Sequence, residues 1–133
     1  MNYVDTFIAV AEDCPASEGV VPPQKTTVAA IQYELLSVEP YVHTQEDVLF
    51  LTFVRRQGVS LDALQVGEAT MRAEFFAKPQ PCLRTSPLAR RYGWGIHFDL
   101  EGRAALCPIG STEYAELAKR AAKTLRALRS ARR

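Results

Sequence analysis

Cys82, Arg84, Arg90, Arg91 and His97 bring a thiol, three guanidinium groups and an imidazole into one short stretch of the chain. A cysteine attacks as its thiolate, which a nearby guanidinium and a helix N-terminus both favour. Cys82 stands two residues before Arg84 and four before Ser86. Ser86-Pro87 is a helix-start pattern, an N-cap followed by proline at the first helical position. His97 is the base such a nucleophile needs, in contact at about 3 Å. Cys82 and His97 are therefore the candidate catalytic pair of a thiol-dependent enzyme. Against this, a free cysteine is most often a small buried hydrophobe.

The same stretch fits anion binding better. Arg84, Ser86, Arg90 and Arg91 are the candidate ligand-binding residues, with His97 beside them. Guanidinium forks match phosphate and carboxylate, and the unpaired N–H groups at a helix start favour negative charge. The plainer alternative is that Ser86 only caps and the arginines pair with surface acids. The leading expectation is a non-catalytic binding or interaction domain with an arginine-rich anion-accepting patch. Its partner would be a small anion or an acidic protein.

Cys14, Cys82, Cys107, His43 and His97 show neither C-x-x-C nor H-x-x-x-H spacing, so no metal site is expected. No G-x-G-x-x-G, P-loop, G-x-S-x-G or H-E-x-x-H is present, and no cofactor is implied. An odd, scattered set of three cysteines suits reduced thiols in the cytoplasm. MNYVDTF lacks the basic start of a signal peptide. The longest near-apolar run, residues 48–54, is far short of the ~20 a membrane span needs.

Charge is unevenly spread. Residues 1–118 hold all fifteen acids and nine of the sixteen basic residues, whereas residues 119–133 hold seven basic residues and no acid. A basic amphipathic helix there could meet nucleic acid, anionic lipid or an acidic partner. It lacks aromatics for base stacking and the body is acidic, which argues against nucleic acid.

The elements that position these residues follow from pattern and punctuation. Residues 3–11 read as a buried strand, with Val4, Ile8 and Val10 on one face and Tyr3 and Phe7 on the other. Four glycine or proline residues make 12–25 a loop. Thr26 or Thr27 caps a helix that ends near Val38, before Pro40. Thr44 caps a second helix that stops at Gly58, and Ser60 a third over residues 61–77. Leu88 to Tyr92 is a short helical turn. Trp94, Ile96 and Phe98 alternate with Gly95, His97 and Asp99, which predicts a strand. The Asp99-Leu100-Glu101-Gly102 turn returns it as a second strand over residues 103–109. That hairpin puts Phe98, Ile96 and Trp94 near Ala104, Leu106 and Pro108, and gathers His97, Asp99, Arg103 and Cys107 on the other face. A helix from Thr112 to the end would carry Tyr114, Leu117, Ala121, Leu125 and Leu128 as one stripe. The expected fold is α+β: one domain over residues 1–133 with a basic C-terminal helix at about 112–133. Its small, mostly antiparallel sheet would be packed with about four helices.

AEDCP at residues 11–15, QPCLRTSPL at 80–88 and RYGWGIHFDLEG at 91–102 resemble a family of small, mainly bacterial proteins labelled only as a domain of unknown function. The resemblance spans nearly the whole chain and implies a single self-contained domain. It implies no activity, cofactor or catalytic residue.

Overall fold

Thr6–Ala9 forms β1, buried along its whole length because Phe7 and Ile8 place apolar groups on both faces. The computed structural model, which describes residues 2–130, builds a four-stranded sheet around it. β2 (Trp94–Phe98), β3 (Ala104–Pro108) and β4 (Lys123–Arg126) complete the order β3-β2-β1-β4. β2 pairs antiparallel with β1 and with β3. The hairpin has the register the alternation predicts, with Trp94 opposite Pro108, Ile96 opposite Leu106 and Phe98 opposite Ala104.

Three expectations are corrected. β4 pairs parallel with β1, from Thr6 opposite Lys123 to Ala9 opposite Arg126, so the sheet is mixed and not mostly antiparallel. The last helix, α5 (Thr112–Arg120), does not continue to the chain's end, because Ala121 turns extended (φ −62, ψ 143). Lys123 N–H then donates to Asp5 C=O and Ala127 N–H to Ala9 C=O. Pairing with the open edge of a buried strand outweighs a weak local preference for helix. Arg132 and Arg133 lie outside the described residues. Finally, β1 is shorter than expected. Asp5 takes a left-handed φ of 47, which ends the alternation, and Tyr3 stacks edge-on with Phe98 instead of sharing the face of Phe7.

The helices α1 (Val28–Val38), α2 (Gln45–Arg56), α3 (Leu61–Phe76), one-turn α4 (Pro87–Arg90) and α5 make five among the described residues, one more than expected. Thr27, Thr44 and Ser60 cap the first three with their side chains. One sheet face, with Ile8, Ile96, Phe98 and Ala104, packs against Leu36, Val48 and Leu88 of α1, α2 and α4. The other, with Phe7, Ala9 and Cys107, packs against Leu117 of α5. Gly95 permits that second layer: a Cβ there would stand 2.6 Å from the Phe7 ring and 2.9 Å from the Tyr114 ring. α3 has no buried residue in its sixteen. No helix among the described residues is long and apolar enough to cross a membrane.

Candidate functional site

α4 starts as its sequence dictates. Ser86 Oγ accepts from Leu88 N–H at 3.3 Å, and Pro87 takes the first helical position. The Ser86 hydroxyl is buried and donates to Gln32 Oε1 at 2.6 Å. Both of its bonds are internal.

Two of the three arginines face the C-terminal segment. Arg84 Nε donates to Arg126 C=O at 2.8 Å, and Arg84 C=O accepts from Leu128 N–H at 3.0 Å. Arg90 Nε donates to Leu128 C=O at 3.2 Å, and its Nη2 to Arg129 C=O at 3.1 Å. These two residues occupy the place of a further strand beyond β4 and satisfy backbone groups there. Every acceptor is a neutral carbonyl, so the contacts hold the segment without cancelling the charge. Arg91 is exposed, and its side chain has no hydrogen bond or ion pair among the described residues. With Arg90, Pro87, Tyr92 and residues 27–29 at the start of α1, it lines a concavity of about 320 Å3.

Cys82 lies beside Tyr3. Burial, and after it the neighbouring Cys82 thiol, push the Tyr3 phenol up to about 12. Tyr3 stacks on Phe98 at 5.5 Å between ring centres, on the face covered by α1, α2 and α4. His97 pairs with Phe7 and Ala105 and points to the opposite face. The sheet therefore stands between Cys82 and His97, and the structure does not bring them together. Nor does it bring His97 to Arg84, Arg90 or Arg91: its charged neighbours are Arg120, Asp99, Asp5 and Glu113.

His97 instead belongs to a polar cluster beside α5. Its Nδ1 lies 2.8 Å from Tyr41 Oη, with the two rings near perpendicular. Burial first, then Arg120, lower its proton affinity, against Asp99, Asp5 and Glu113. Tyr41 and Asp5, both near His97, are the two non-glycine residues with positive φ among those described, at 60 and 47. Such backbone costs of order 1–3 kcal/mol per residue and persists where surrounding bonds over-determine it. Here Tyr41 N–H donates to Ala104 C=O and Asp5 N–H to Asp99 C=O, each at 2.9 Å. Cys107 is fully buried, and burial pushes its thiol up. Its Sγ lies 3.6 Å from Ser111 Oγ and 3.8 Å from Glu113 Oε1. The cluster holds a neutral imidazole engaged by a phenol and a protonated thiol, which is not an activated nucleophile.

Strand alternation found His97 and Cys107 as face-mates. It missed Tyr41, whose one sequence signal is its place after Pro40, and Glu113, which has none. Among the described residues, no three His, Cys, Asp or Glu converge to hold a metal ion.

No curated protein and no solved structure matches this chain. One family's sequence model covers residues 1–133, and its description is family of unknown function (DUF6157).

Proposed function

We propose that this chain, which belongs to that family of unknown function, is a non-catalytic binding domain that accepts an anion at Arg91. One observation carries the proposal: Arg91 is the candidate arginine whose side chain has no hydrogen bond or ion pair among the described residues, and it shares a concavity with Arg90 and the first turn of α1. That turn contains no acid that would repel an anion. Arg84 and Ser86 are engaged internally, and Arg90 has part of its guanidinium left over.

The test is a thermal shift with phosphate, nucleotides and dicarboxylates. At least one should raise the melting temperature. Arg91→Ala should abolish that rise, whereas Arg84→Ala should lower the baseline and leave the rise intact. The proposal fails if no anion shifts the transition, or if Arg91→Ala responds like the parent.

A further inference from the structure

We infer that the free edge of β4 takes an extended acidic segment of a partner protein as a fifth strand. β4 is an outer strand of the sheet. Lys123 and Ala127 turn their N–H groups to β1, so alternation turns those of Thr124 and Arg126, and Thr124 C=O, outward. Arg84 and Arg90 close this edge only from Arg126 C=O onward. Its first half is open, and Lys123, Thr124 and Arg126 are exposed.

The charge around that opening selects the occupant. Lys123 and Arg126 lie on the strand itself, Arg84 stands at its end, and residues 119–130 contain no acid. None of these three cations is ion-paired among the described residues; Arg126 Nη1 donates to Val10 C=O at 3.5 Å. The register sets Lys123 beside Thr6 and Arg126 beside Ala9, on opposite faces of the sheet. At ~3.3 Å per residue they are about 10 Å apart along the edge, a line of charge suited to an extended chain.

A second copy does not fit. Antiparallel β4–β4 pairing opposes residues of the same face, so it would bring Lys123 or Arg126 opposite or diagonal to its own copy, and like charges so placed are destabilising. A polynucleotide meets the charge but has no backbone amide to pair with the strand edge. An extended acidic peptide meets both demands, main-chain bonding at the edge and opposite charge along it. This surface is distinct from the Arg91 concavity, so either can fail alone.

The test uses the full chain and a fluorescent ten-residue peptide in which Glu alternates with Thr and Val. Anisotropy should show salt-sensitive binding, weakened at least tenfold by Thr124→Pro. That change deletes an outward N–H and leaves the bonds to β1 in place. Thr124→Val should bind like the parent, since only the hydroxyl bond to Ala118 C=O is lost. Lys123→Glu with Arg126→Glu should abolish binding. In the unsubstituted protein, peptide should slow hydrogen exchange at the Thr124 and Arg126 amides. The inference is overturned if the peptide does not bind at millimolar concentration, or if those amides gain no protection. It is also overturned if a single-stranded oligonucleotide of equal charge binds more tightly.

Discussion

His97 is disfavoured as a cation first by burial and then by Arg120. The unfolded chain takes up a proton near the ordinary histidine value of about 6.5, and the folded chain only below it. Between those points the unfolded state binds more protons, so stability rises with pH. The contribution is complete above about pH 6.5 and is lost as the solution is acidified below it. His97→Gln, which keeps an amide for Tyr41, should flatten the slope of melting temperature against pH over about 5 to 8. Parallel slopes for the two proteins would place the dependence elsewhere. At this scale the sequence was partly legible. Period-two alternation puts His97 and Cys107 on one face, because a strand leaves no other choice. The face on which Cys82 lies depends on residues 79–82 running beside Gln45 and Leu49 of α2, and no local pattern encodes that. The same limit hid the partners of Arg84 and Arg90, whose acceptors are backbone carbonyls some forty positions away.

Helix starts were the most legible elements, since a capping hydroxyl acts on N–H groups two or three residues ahead. Asp47 shows how much one such start can hold. It closes the capping box with Thr44 N–H at 3.0 Å and binds Arg72 of α3 at 2.9 Å. Burial alone would raise its pKa, but the Thr44 N–H and the Arg72 guanidinium outweigh burial and hold it below the ordinary value. Arg72 also lies over the rings of Phe50 and Phe76, so this contact fastens a helix that has no buried residue. Asp47→Ala should cost about 1–2 kcal/mol in urea denaturation. It should also speed amide exchange along α3 selectively. Because the folded carboxyl is the stronger acid, the parent's advantage is present above about pH 4 and fades as pH falls further. Uniform exchange along α3 in both proteins would show that Arg72 does not anchor it. The C-terminal segment was the element misread. Leu117, Ala121, Leu125 and Leu128 have helical spacing, yet Leu125 pairs with Ile8 across a parallel ladder. Periodicity cannot distinguish a helix from a helix followed by a strand when the run is this short.

The α+β class was legible for the whole molecule because strand and helix signals were segregated along the chain. The mixed sheet was not, because a parallel pairing leaves no turn residue between its strands to announce it. The error matters for stability. A basic surface helix could be removed at little cost, whereas β4 covers the edge of β1 and places Ala127 in the core. Truncation after residue 121 removes several ladder hydrogen bonds, each contributing about 1 kcal/mol. The loss should reach roughly 3 kcal/mol or more, a large share of typical domain stability. Urea midpoints of the two proteins measure it, and an unchanged midpoint would refute the pairing. The central position of β1 also bears on biosynthesis. Phe7 finds its neighbours in His97 and then in Thr124. At about 5–20 residues per second, a ribosome needs several seconds to deliver them. Until then an apolar segment leaves the exit tunnel with both flanks bare, while α1 and α2 can already coil against each other. Sheet closure must wait for translation to pass residue 126. Nascent chains stalled before that point should engage chaperones through the Thr6–Ala9 segment.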